Sequence, residues 1–359
     1  MYLKQMAEQL DAKKPLDIQR GVQISSLRRR LETKLVAKPL EVSLAQLEKY
    51  GYPRLRADLT KQFVALTQEE RLLWLNNFLF ILTPDLRKLT DKIANIRAYR
   101  SLGQQRNFLL GGKSGMGKTT FLNWLTVNNL PRIEQQRNII PVIKVDAPRN
   151  QKSSKTLFQR IILECGHTYL KSSHDEDLLH LLILLFQQCH VELLVVDEIE
   201  HLVKDEYRRR LLEVSNLSHG VPIICASCNP LNWTAGDQEV QGRWNDYFEL
   251  HQVTGPRLAA LLSYLELLLP FSGNSHLPEF KLNTKSDSMD GPAALIQQWT
   301  GGILRDIMIL LTEASIKAIK ANANSLSPEL LKLTWDELQT KRVIDFLPNA
   351  PHHTETKDS

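Results

Sequence analysis

Gly112-Lys113-Ser114-Gly115-Met116-Gly117-Lys118-Thr119 lies between an apolar run, Asn107-Phe108-Leu109-Leu110, and Thr120-Phe121-Leu122-Asn123-Trp124-Leu125, which reads as a helix. A strand, a glycine-rich turn and a helix in that order predict a phosphate-binding loop. Glycines let the backbone aim its N–H groups inward, and the N-terminus of the following helix adds the positive end of a dipole. Gly112 to Thr120 are therefore expected to bind ATP. Lys118 would reach the β and γ phosphates, and the Thr119 hydroxyl would be a ligand of Mg2+.

A second stretch supplies the other half of that chemistry. Leu193-Leu194-Val195-Val196 is uninterrupted apolar sequence that stops at Asp197-Glu198. Two carboxylates at the end of a buried strand, beside a phosphate loop, suit a division of labour: Asp197 holds the Mg2+ shell and Glu198 polarises the attacking water.

Around these motifs, short apolar runs (NFLL, IIPVIKV, ELLVV, VPIICA) alternate with stretches of helical length. That alternation predicts an α/β fold with a buried, mostly parallel central sheet. Before it the chain reads as helices. Ser43 could cap one that ends at Gly51, Thr67 and Glu70 form a capping-box pattern, and Thr83-Pro84 opens a helix with Leu86, Leu89, Ile93 and Ile96 on one face and Gly103 as its stop. After Tyr247-Phe248 come more helices, near Ala293 to Trp299 and Ile303 to Ile319, with a polar, strand-poor interruption from Ser272 to Asp290. The expected organisation is an N-terminal helical extension over 1–84, the ATPase core over 85–254, a C-terminal helical lid over 255–347 and a disordered tail over 348–359.

The 359 residues carry 45 basic and 40 acidic side chains, a net charge of +5 that permits contact with nucleic acid without requiring it. Four scattered cysteines do not make a disulfide framework, and the start lacks a basic-then-apolar signal pattern. The longest apolar run, Leu178 to Phe186, is half a membrane span. These features predict a soluble cytoplasmic protein. Cys225 and Cys228 have CxxC spacing, but no second Cys or His pair completes a zinc site.

Further elements resemble AAA+ ATPases. Ile223-Ile224-Cys225-Ala226-Ser227-Cys228-Asn229 resembles the sensor-1 strand, with Asn229 or Ser227 in the sensing position. Gly302-Ile303-Leu304-Arg305 is similar to the sensor-2 pattern, which implies contact of Arg305 with nucleotide. Arg243, just before the strand YFELHQV, stands where such ATPases carry an arginine finger acting on a neighbouring subunit.

Over about residues 85 to 320 the chain is similar to the TniB/TnsC branch of transposition regulators. The likeness is carried by GGKSGMGKTT, PVIKVDAPRNQKSSKTLFQRIILECG, LLVVDEIEHL, GVPIICAS and WTGGILRDIMILLTEASIKAI. It departs from the family where Ala226-Ser227-Cys228-Asn229 replaces the usual Gly-Thr. The resemblance implies a protein that binds double-stranded DNA as an ATP-dependent homo-oligomer, ring or filament, marks a target site and recruits a transposase, working with a target-selecting partner. The rival reading is an AAA+ loader or signalling ATPase that remodels a protein.

Basic residues Arg149, Lys152, Lys155, Arg160 and Lys171 surround a helix whose Leu157, Ile161 and Ile162 point inward. Arg149, Lys152, Lys155 and Lys171 are the candidate DNA contacts, Lys155 and Lys171 by their position in the resembling family. A solvated helix face is the alternative. Arg208-Arg209-Arg210, on a helix, point about 100° apart and cannot form one patch; Arg28-Arg29-Arg30 is read with the same caution.

Overall fold

The computed structural model describes residues 52–77, 82–101, 106–149, 154–169, 172–244, 246–283 and 288–346. The expectations for Ser43, Gly51, Arg28 to Arg30, Gly103, Lys152, Lys171 and the tail over 348–359 lie outside them. In chain order the elements are α1 (Tyr52–Ala65), α2 (Gln68–Asn77), α3 (Pro84–Ser101), β1 (Phe108–Gly111), α4 (Lys118–Val127), β2 (Arg132–Glu134), β3 (Arg137–Ile139), β4 (Val142–Asp146), α5 (Lys155–Glu164), α6 (Asp175–Gln188) and β5 (Leu193–Asp197). There follow α7 (Asp205–Leu217), β6 (Ile223–Ala226), α8 (Pro230–Thr234), α9 (Gln238–Arg243), β7 (Asp246–Glu249), α10 (Gly255–Leu268), β8 (Lys281–Asn283), β9 (Ser288–Asp290), α11 (Pro292–Thr300), α12 (Leu304–Lys320) and α13 (Pro328–Phe346).

The chain forms two compact units. One contains Leu82–His251, and the other joins described residues of Ala37–Ile81 to those of Gln252–Ser359.

The first unit holds a five-stranded sheet in the order β4-β5-β6-β1-β7, parallel throughout. In a parallel sheet all C-terminal ends share one edge, so the segments that follow Gly111, Asp146, Asp197 and Ala226 emerge side by side. That edge is where the sequence motifs meet. Buried Leu157, Phe158, Ile161 and Ile162 of α5 pack with Leu178, Leu182, Leu185 and Phe186 of α6 in the same apolar core as β5, each such side chain contributing about 1.5–3 kcal/mol before entropy is counted. The acidic first turn of α6 (Asp175, Glu176, Asp177) faces the positive end of its dipole. At the opposite edge the buried Asn107 carboxamide oxygen accepts the Ile223 N–H at 2.9 Å, which sets the start of β1 beside the start of β6.

Thr83 caps α3, its hydroxyl accepting the Leu86 N–H at 3.3 Å, and Leu86, Leu89, Ile93 and Ile96 are buried as their spacing predicts. Within IIPVIKV the structure contains more than one strand: Ile139 ends β3, and β4 begins only after Pro141. The β2–β3 hairpin turns through Gln135 and Gln136, both left-handed (φ 47° and 63°), without the Asn-Gly signal that makes such turns legible.

The second unit is helical. Leu258, Leu262 and Leu265 of α10 share a core with Ile307, Leu310, Leu311 and Ala314 of α12 and with Leu59 and Phe63 of α1. The Trp74 indole N–H donates to the Leu268 carbonyl at 2.8 Å, tying α2 to the end of α10. The expected capping box is present: Thr67 N–H donates to the Glu70 carboxylate at 2.8 Å and Glu70 N–H to the Thr67 hydroxyl at 3.2 Å. The interval from Ser272 to Asp290, read as strand-poor, contains the β8–β9 hairpin. Among the described residues no helix is long and apolar enough to cross a membrane.

Candidate functional site

The loop after β1 turns on glycine. Gly112 has φ +140°, and a Cβ there would lie 2.6 Å from the Leu250 carbonyl oxygen, while Gly115 and Gly117 take φ 83° and 87°. Met116 is buried and anchors the loop, whereas Lys113, Ser114, Thr119 and Thr120 are exposed. Helix α4 starts at Lys118 with Gly117 at its N-cap and no side chain accepting from its first turn, so those N–H groups can serve an anion. Lys118 curls back over the loop. Its ammonium donates to the carbonyls of Gly112 and, at 3.2 Å, Lys113, and it stands 3.8 Å from the Cys228 sulfur.

The two carboxylates at the end of β5 differ in setting. Asp197 is 2% exposed; its Oδ1 accepts the Glu198 N–H at 3.0 Å, and its Oδ2 makes no hydrogen bond. That second oxygen has the Lys144 ammonium 3.5 Å away, an ion pair at a distance too long to hydrogen-bond well. Glu198 leaves the strand through a left-handed backbone (φ 56°, ψ 41°), a conformation that costs a non-glycine residue on the order of 1 kcal/mol or more and turns its side chain away from the core. Its Oε2 lies 3.4 Å from the Arg149 guanidinium and 3.5 Å from His201 Nε2. Neither Lys144 nor His201 was singled out from sequence, and only the β4–β5 register, Asp146 opposite Asp197, brings Lys144 to the site.

This donor set fits a nucleoside triphosphate and a hard divalent cation. Backbone N–H groups and an ammonium suit the phosphates. The Thr119 hydroxyl and the unbonded oxygen of Asp197 are the oxygen ligands that Mg2+ prefers.

Just after β6, the two sensor-1 candidates separate. Ser227 is buried, its hydroxyl accepting the Asn229 N–H at 3.2 Å, and Asn229 is exposed at the start of α8. Cys228, between them, is the residue whose side chain reaches Lys118. Cys225 is buried in the strand, and burial pushes its thiol well up, against a smaller opposite effect of Trp244. Among the described residues no group of His, Cys, Asp or Glu could hold a metal ion by itself.

A family model described as bacterial TniB protein matches residues 71–246. Over those residues, just under half of the chain, the sequence is similar to the TniB family. No curated protein matches the sequence. Among solved structures, the ORC2 protein of Aeropyrum pernix in ADPNP-ADP complexes is similar at a TM-score of 0.51 and 18% identity, over 72% of this chain and 70% of that one. CDC6P from Pyrobaculum aerophilum gives 0.51 and 12%, over 74% and 71%. With the parallel sheet and the phosphate loop, these likenesses give the chain the α/β fold of AAA+ ATPases.

Within the TniB region, Arg149 follows β4 and pairs with Glu198, and Lys155 opens α5. Arg160 donates to the Asp146 carbonyl at 2.9 Å. The three consecutive arginines of α7 do splay: Arg208 to Asp205, Arg209 to Asp237, and Arg210 to Glu176 and Glu213. Arg243 ends α9 at the edge of the sheet away from the phosphate loop, its carbonyl accepting the Asn107 N–H at 3.3 Å where β1 begins. Outside the TniB region, Arg305 sits in the first turn of α12, in the second unit, 3.2 Å from Asp306.

Proposed function

We propose that the chain is an ATP-dependent, DNA-binding AAA+ regulator of DNA transposition that assembles as a homo-oligomer on target duplex and recruits a transposase. The observation that carries the nucleotide half of this reading is the meeting of the Lys118 loop and the Asp197–Glu198 pair at one edge of one parallel sheet. Lys118 and the first-turn N–H groups of α4 would hold the phosphates, Thr119 and Asp197 would hold Mg2+, and Glu198 would take the proton of an attacking water. Mg2+ held there would supply neutralisation of phosphate charge.

Arg243 supports assembly. Its backbone lies at the start of β1, about 10 Å of strand from the loop of its own chain, so its guanidinium is better suited to a neighbour's nucleotide than to its own. Arg305 would contact nucleotide, and Ser227 or Asn229, with Cys228 between them, would report on the γ phosphate.

The DNA half rests on the family and on the basic segment. Arg149, Lys152, Lys155 and Lys171 would contact phosphates and not bases, as suits a protein that must accept many targets. Duplex phosphates and Glu198 would then compete for the Arg149 guanidinium. Phosphate release measured with and without duplex of arbitrary sequence tests the reading: turnover that responds to DNA supports it, and turnover that responds only to a protein partner favours a loader or signalling ATPase.

A further inference from the structure

Lys144 is the third residue of β4, flanked by buried Ile143 and Val145, and its side chain is only 10% exposed. A lysine in a buried strand is costly unless its charge is matched. Here two carboxylates match it, Asp146 Oδ1 at 2.6 Å and Asp197 Oδ2 at 3.5 Å. Residues two apart on a strand share a face, and the register sets Asp146 directly across from Asp197, so the three side chains form one row on one side of the sheet. Asp197 Oδ1 is taken by the Glu198 N–H; Oδ2 is buried, without a hydrogen bond, and faces Lys144.

We propose that Lys144 is the positioning residue of the metal-side carboxylate: its ammonium balances the Asp197 charge while no divalent cation is bound, and yields Oδ2 to the cation by resting on Asp146. The inference rests on the reading of Asp197 as a Mg2+ ligand. Its consequence concerns nucleotide binding rather than turnover. Without Mg2+, the Asp197 carboxylate would repel a triphosphate on the neighbouring loop, and Lys144 offsets that repulsion. With Mg2+ bound the offset is redundant. Lys144 would thus keep the metal dependence of ATP affinity low, and Asp146, by sharing the ammonium, would raise it.

The test is equilibrium ATP binding to the full chain in excess EDTA and in excess Mg2+, read as the ratio of the two dissociation constants. Lys144→Met should weaken metal-free ATP binding by about tenfold or more, on the scale of losing one close countercharge, and leave Mg2+-ATP binding within about twofold. Lys144→Arg should restore most of the wild-type ratio. Asp146→Asn, which leaves the ammonium to Asp197 alone, should change it in the opposite direction. A purely structural Lys144 would move both constants together, and an unchanged ratio in Lys144→Met overturns the proposal. Should Lys144→Met not fold, Asp146→Asn decides by itself: a lowered ratio supports the proposal and an unchanged one overturns it. If neither the wild type nor Lys144→Met responds to Mg2+, the metal reading of Asp197 falls and the proposal falls with it.

Discussion

The Arg149 guanidinium lies 3.4 Å from Oε2 of Glu198, joining the loop after β4 to the acid that follows β5. Both side chains are exposed, so the pair is weak by itself, about 0–1 kcal/mol. Its interest lies in what each partner is expected to do. One belongs to the basic segment proposed for DNA, the other is the acid proposed to activate water, and a partner that draws Arg149 away would leave Glu198 to that proposed role.

Arg149→Ala should therefore raise turnover measured without DNA and reduce the further increase on adding duplex. It should also lower the salt dependence of duplex binding by roughly one unit, the signature of one lost phosphate contact. Phosphate release and a salt titration of fluorescence anisotropy read the two effects. An unchanged response to DNA would leave Arg149 as a surface ion pair.

Lys118→Ala removes the side-chain cation that lies over the Gly112 and Lys113 carbonyls. ATP affinity should fall at least tenfold, since hydrogen bonds from a charged group contribute about 1.5–3 kcal/mol each. Affinity within twofold of wild type would reject the phosphate loop as the nucleotide site.

Glu198→Gln keeps the shape of the side chain and removes its basicity. Turnover should fall by about 10²–10⁴-fold, the usual contribution of a positioned base, while ATP binding and any ATP-dependent assembly persist. The left-handed backbone at Glu198 favours the conservative change, because Gln meets the same φ and ψ. Normal turnover would move the base elsewhere.

Arg243→Ala should leave ATP binding by a lone subunit intact and lower assembled turnover by on the order of 10³-fold, as loss of a finger supplied by a neighbour does. Mixing Arg243→Ala with Glu198→Gln chains is the sharper arm. Activity should return where an intact Glu198 meets an intact Arg243; a mixture no more active than its two components would argue against action across an interface.

The parts of the site that are contiguous in sequence were the legible ones. Gly112 to Thr119 and Leu193 to Glu198 each carry their own context, a strand joined to a turn, and periodicity sufficed to read them. Lys144, Arg149 and His201 enter through contacts that depend on strand register and on the left-handed turn at Glu198, and neither is written in local sequence. Cys228, legible only as half of a CxxC pair, is the one of the three residues after β6 that reaches Lys118, because the direction of the backbone there decides it and side-chain polarity does not. Of the helices of the second unit, α2, α11 and α12 were legible one by one, but the union of α1 and α2 with α10 to α13 was not, because the two stretches lie on either side of the sheet-forming unit in the chain.

The most direct test is binding of the full chain to several duplexes of unrelated sequence, followed by anisotropy with no nucleotide, with ADP and with a non-hydrolysable ATP analogue. The account predicts binding that requires the ATP analogue, is cooperative in protein, differs little among sequences and weakens steeply with salt. Duplex binding that is the same in all three nucleotide conditions, or absent in all of them while ATP is hydrolysed, would contradict it.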